Sequence, residues 1–246
     1  MNTEPTAWRW PDAPLRASVL TSKLAGLVAV VALATAARTI LPLGDRYPLK
    51  AAGLFALVMG LSIGFLKQHH PFARFGGANQ ITTVRALLVA LAAALVGEPP
   101  VPSVAIAAVT ISMSALLLDG VDGWLARRQD VASPFGARFD MEIDALLILA
   151  LSVLVWRGGK AGSWVVASGL LRYAFVAAGA VVPWMRGALP PSPRRQTVCV
   201  IQIAALTLAM LPAIQPPLSL PLAAAALVAL AASFLLDTVW LWHHAG

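Results

Sequence analysis

Apolar residues run along this chain in long blocks, separated by short breaks of polar residues, glycine and proline. The blocks cover residues 24–43, 50–66, 80–97, 101–118, 140–156, 163–185, 197–213 and 219–242. Each is close to the roughly 20 residues that a helix needs to cross a hydrocarbon core about 30 Å thick. The breaks Gly44-Asp45-Arg46-Tyr47-Pro48, Gly97-Glu98-Pro99-Pro100, Arg157-Gly158-Gly159-Lys160, Pro190-Pro191-Ser192-Pro193 and Pro216-Pro217 are turn chemistry. The pattern predicts an all-α, polytopic membrane helical bundle of eight spans. Residues 1–77 read as an arm followed by a two-helix extension, and 78–246 as a six-helix unit. The stretch up to Lys23 is polar and contains proline, so it is expected to lie at the cytosolic surface, with Trp8 and Trp10 as interfacial anchors.

Composition sharpens this picture. Of the 246 residues, 59% are apolar and 12% charged, too little polar surface to cover a soluble globule. The net charge of +7 does not point to nucleic acid, because the basic residues sit between apolar blocks, where they orient helices and touch anionic lipid. With the amino terminus in the cytosol, Arg9, Arg16, Lys23, Lys67, Arg74, Arg127, Arg128, Arg138, Arg186, Arg194 and Arg195 fall inside, against Arg46, Lys50, Arg157 and Lys160 outside. That bias obeys the positive-inside rule. Arg38 interrupts the first block, and Ala34-Thr35-Ala36 has the small-residue form of a signal-peptidase site. A retained helix, with Arg38 reaching for an interface, is the expectation. A single cysteine, Cys199, excludes a disulfide framework, and the adjacent pairs His69-His70 and His243-His244 lack zinc spacing.

The chemistry is concentrated in one place. Six of the eleven acidic residues, Asp119, Asp122, Asp130, Asp140, Glu142 and Asp144, lie where one block ends and the next begins. A carboxylate near the bilayer centre costs on the order of 3 kcal/mol on insertion scales, so acids at such places have partners. Asp119 and Asp122 are three apart, and Asp140 and Asp144 four apart, so on two helices each pair shares a face. Like charges gathered there call for cations, and an all-oxygen donor set suits magnesium, manganese or calcium better than zinc. Gly120, Gly123 and Gly136 leave room for a close approach, and Arg127 is placed to meet a phosphate oxygen.

The string Asp119-x2-Asp122-Gly123-x2-Ala126-Arg127-x8-Gly136-x3-Asp140-x3-Asp144 resembles the complete signature of the CDP-alcohol phosphatidyltransferases, membrane enzymes that build phospholipid head groups. The likeness extends from near Asn79 to the carboxyl terminus and implies that family's six-helix fold. It implies that Asp119, Asp122 and Asp140 bind metal, as two Mg2+ ions with Mn2+ as a substitute. Asp144 would complete the site and act as the base. Gly123, Arg127 and Ser133 would contact the CDP-linked donor, with Gly120, Ala126 and Gly136 in the same substrate-binding stretch. Asn79 and Thr82, followed by Arg85, resemble the Asn-x-x-Thr element that helps hold the nucleotide. Capping of a helix by Asn79 or Thr82 is a compatible reading.

The reaction so implied moves a phosphatidyl group from CDP-diacylglycerol to an alcohol and releases CMP. Arg138, Arg172, Arg186, Arg194 and Arg195 are candidates to bind a phosphorylated polyol such as glycerol 3-phosphate or inositol phosphate. Arg172 leads these, because it interrupts an apolar block and needs a partner. Ala145 follows the last aspartate, where relatives using glycerophosphate often carry Lys and those using inositol phosphate often carry Arg, so the acceptor stays open. The resemblance also implies a homodimer, and the charge bias places the site on the cytosolic side of a bacterial inner membrane. An ion-coupled transporter is the alternative from another class, and an inactive scaffold of the same fold is a third reading.

Overall fold

The computed structural model describes residues 13–69, 77–128 and 134–244, with side chains placed for 20–61, 79–121 and 136–244. The described residues are helical: α1 (Ala13–Ile40), α2 (Tyr47–His69), α3 (Gly77–Ala94), α4 (Pro102–Arg128), α5 (Pro134–Arg157), α6 (Ala167–Val181), α7 (Pro193–Ala209) and α8 (Ser219–His243). Single 3-10 turns at Ser163–Val166 and Pro183–Arg186 flank α6. Four spans are long and apolar enough to cross a membrane: Leu20–Ile40, Pro102–Val121, Ser163–Val181 and Ser219–His243. Tyr47–Leu61 and Asn79–Ala94 are shorter apolar helices. Large apolar side chains such as Val28, Ile40, Leu57, Leu117, Val181 and Val228 point outward from these helices. A soluble monomer does not carry such a belt, and a lipid-facing bundle requires one.

Several elements differ in extent from the apolar blocks. α1 starts at Ala13, well inside the stretch read as a polar arm, because Pro14 suits a first helical turn and nothing breaks the helix before Gly26. α4 runs on past the fourth block to Arg128, and α5 starts ahead of the fifth at Pro134. The α4 extension is polar and carries Asp119 and Asp122, and the α5 extension holds Pro134, Gly136 and Arg138, so hydropathy alone does not reveal them. The sixth block is not one helix, since α6 stops at Val181 ahead of Pro183, which removes a donor and restricts the residue before it. α1 passes unbroken through Ala34-Thr35-Ala36, and Arg38 pairs with exposed Asp45 beyond its end.

α3 lies at the centre, packed by α1 and α2 on one side and by α4 and α5 on the other. α7 closes over α4 and α5, while α6 and α8 complete the far side against α5 and α7. Polar ties hold α1 and α2 to this core. Lys23 Nζ donates to the Met59 carbonyl at 2.5 Å, and Tyr47 Oη donates to the Leu91 carbonyl at 3.0 Å. Glu98 accepts from the Gly44 amide at 2.6 Å and pairs with Lys50. Gly97 (φ 86°) and Gly159 (φ 68°) turn the chain after α3 and α5 in the left-handed region that favours glycine. Buried Lys160 fixes the next loop by donating to the carbonyls of Leu211 and Ile214. Alternating helix directions bring the loop ends bearing Gly44, Glu98, Lys160 and Pro212 to one end of the bundle. The 119–144 region lies at the other.

Candidate active site

Asp119 stands in the second half of α4, and Asp140 and Asp144 stand one turn apart on α5. Their ligand oxygens all lie within 4.8 Å of one another. At that spacing each pair of carboxylates repels by about 3 kcal/mol at an effective dielectric of about 20. The sum is comparable to the whole stability of an ordinary domain. Among the described residues, a buried guanidinium opposes it. Arg85, on α3 and 1% exposed, bonds to Asp140 through Nη1, and through Nη2 to Asp144 and, at 2.9 Å, to Asp119. Three helices thus meet at one charge cluster, in which three carboxylates share the buried guanidinium of Arg85. Cys199, reaching in from α7, puts its sulfur 3.5 Å from Asp144 Oδ2.

The donor set fits the implied metal. The three carboxylates, partly open at side-chain exposures of 23%, 34% and 15%, offer hard oxygen ligands, with no thiolate or imidazole in the set among the described residues. The backbones of Asp122, Gly123, Ala126 and Arg127 continue α4 beyond Asp119, and their side chains lie outside the described ones. Ser133 and Asp130 lie outside the described residues altogether. Gly120 has no described atom within 4 Å of where a β-carbon would stand.

The remaining sequence candidates separate into two groups. Asn79 and Thr82 are buried within the first two turns of α3, the helix that carries Arg85. Since α3 starts at Gly77, neither residue is its cap, and the Asn79 carbonyl accepts from Thr83 Oγ1 at 2.8 Å. Gly136 and Arg138 lie on the first turns of α5, Arg138 exposed. Arg172 finds its partner in Glu142, with Nη2 2.6 Å from Oε1. Glu142 therefore faces α6, away from the face that bears Asp140 and Asp144. Arg194 and Arg195 share Asp237 of α8 at 2.5 and 3.2 Å, and Arg194 also bonds to Ser233. Arg186 donates to the carbonyls of Gly179 and Ala180.

Two charged residues pair in ways not expected from sequence: Arg85, noted there only as following Asn79 and Thr82, and Asp237. Arg85 interrupts an apolar block just as Arg172 does, and the same reasoning applied to it would have demanded an acidic partner. Asp237, an acid inside the last apolar block, carried the same signal. A cavity of about 290 Å3, lined by Glu98, Arg157, Lys160 and Gln215 among others, is not part of the site. It touches Val104 near the start of α4, and at 1.5 Å per residue Asp119 lies roughly 22 Å further along that helix.

No curated protein and no solved structure matches the chain. A family model, that of the CDP-alcohol phosphatidyltransferases, matches residues 76–239 and so takes in α3 with Arg85, the acids of α4 and α5, and α8 with Asp237. With two thirds of its length matched, and Asp119, Asp140 and Asp144 of the signature gathered at one end of a helical bundle, this chain belongs to the CDP-alcohol phosphatidyltransferase family.

Proposed function

We propose that the protein moves a phosphatidyl group from CDP-diacylglycerol to an alcohol acceptor and releases CMP. The observation that carries this reading is the convergence of Asp119, Asp140 and Asp144 from two helices onto one point. These residues and, by its place in the motif, Asp122 would hold two Mg2+ ions, or Mn2+ in their place. Metal held there would supply charge neutralisation for a diphosphate undergoing in-line displacement. Asp144 takes the hydroxyl proton as the acceptor oxygen bonds to the β-phosphorus. The bond from that phosphorus to the bridging oxygen breaks, and CMP leaves with the electron pair. Gly123, Arg127 and Ser133 contact the donor, beside Gly120 and the motif positions Ala126 and Gly136. Asn79 and Thr82 hold the nucleotide from α3.

Arg138 and Arg172 are the candidates for acceptor binding. Arg172 already shares Glu142, so a phosphorylated acceptor has to compete with that carboxylate. The chain crosses a bacterial inner membrane several times, with the site at the cytosolic face, as the charge bias supports. A homodimer is the assembly this reading assigns.

The test is CMP release by purified protein in liposomes with CDP-diacylglycerol, Mg2+ and a panel of alcohols, phosphorylated and not. Wild-type release that depends on one alcohol, with Asp144→Asn silent yet still binding the donor, supports the reading and names the acceptor. Undiminished turnover by Asp144→Asn removes Asp144 from the role of base. Absence of release with every alcohol overturns the proposed reaction.

A further inference from the structure

We infer that Arg85 is a resident counter-cation of the acidic site, which competes with divalent metal for the same carboxylate oxygens and so sets the affinity of the site for metal. This rests on the metal reading above. The Arg85 guanidinium is buried and engages Oδ1 of Asp119, Asp140 and Asp144, the three residues whose ligand atoms cluster within 4.8 Å. A guanidinium that only filled a core position would need one carboxylate to balance its charge. Here three are drawn onto one planar fork from two helices, which sets its positive charge among oxygens that repel one another. A divalent ion entering the site meets those oxygens already bonded to a positive charge.

Removing Arg85 therefore acts in opposite directions on two quantities. The metal-free protein loses the cation that holds its carboxylates together and becomes less stable. The metal gains ligands that no longer have to be taken from an arginine, in a site one charge more negative, and binds more tightly. A purely structural role for Arg85 predicts that stability and metal binding fall together.

The experiment compares wild type, Arg85→Gln and Arg85→Lys in detergent at one mildly alkaline pH. Mn2+ binding is followed by electron paramagnetic resonance, and Tm is measured in chelator and in Mn2+. The expected result for Arg85→Gln is a lower Tm in chelator, a Kd for Mn2+ about tenfold lower or more, and a larger rise in Tm on adding Mn2+. Arg85→Lys, which keeps the charge and loses the fork, falls between. Equal or weaker Mn2+ binding by Arg85→Gln overturns the inference while leaving the metal site intact. Wild-type protein that takes up no Mn2+ overturns both. If Arg85→Gln does not fold in chelator, Arg85→Lys carries the same test, and equal or weaker binding by it is again refuting.

Discussion

Replacing Gly169 with alanine tests whether the close contact of α5 and α6 supports the site. A β-carbon at Gly169 would stand 2.4 Å from Leu149 Cα and 2.7 Å from Leu149 Cβ, where ordinary contact is 3.4–4 Å. The nearest atom is backbone, so no change of rotamer relieves the clash, and the two helices must part locally by about 1 Å. Overpacking of this kind costs about 1–3 kcal/mol, against which the better helix propensity of alanine returns up to about 1 kcal/mol. The expected outcome is a net loss of roughly 1–2 kcal/mol, read as a Tm lower by about 2–4 °C per kcal/mol in a chain of this length. The displacement also reaches Arg172, one turn along α6, and so loosens its pair with Glu142. Thermal unfolding in detergent is the assay, with Gly53→Ala on α2 as the control, because nothing lies within 4 Å of a β-carbon there. Gly169→Ala melting at or above Gly53→Ala would refute the reasoning.

Two further changes give separable readings. Gly120→Ala places a methyl group in space open to described atoms, so Tm should hold while CMP release falls at least several-fold. Unchanged turnover would exclude close substrate approach at that turn. Burial by itself would raise the Glu98 carboxyl, but the hydrogen bond from the Gly44 amide and the Lys50 ammonium outweigh it and hold the group below its ordinary value of 4.5. A carboxyl lowered on folding stabilises the protein above its unfolded value, and the contribution is lost as pH falls through the folded one. Glu98→Gln should therefore cost about 1–2 kcal/mol at neutral pH, and the gap to wild type should close only below about pH 4.5. A gap that does not depend on pH would show that the charge of Glu98 contributes nothing.

The helices were legible because lipid imposes a simple requirement, long apolar runs broken by turn residues, and each run holds one α-helix, the sixth flanked by 3-10 turns. The acidic constellation was legible for a related reason, since carboxylates that abut apolar blocks stand out by their cost. Helix ends were harder to read. α4 continues through polar sequence past the fourth block to carry Asp119, α5 begins six residues before the fifth block, and hydropathy is silent about helix outside the hydrocarbon. The pairing of charges was the least accessible part. Arg172 could be said to need a partner, but that Glu142 supplies it depends on which way α5 faces α6, a matter of packing. Likewise Arg85 stood in plain view beside Asn79 and Thr82, yet only the crossing of α3 with α4 and α5 brings its one charge to three acids.

The two-sided use of α5 restricts how its sequence can change. Asp140 and Asp144 look toward α3 and α4, Glu142 looks toward α6, and Leu149 lies against Gly169. Each residue added to a helix turns everything beyond it by about 100°. An insertion or deletion between Asp140 and Leu149 would therefore set the acids and the α6 contact out of phase, and no rotation of the whole helix restores both. Descendants of this chain are free to lengthen the loop between α5 and α6, but the distance from Asp140 to Leu149 is fixed to the residue.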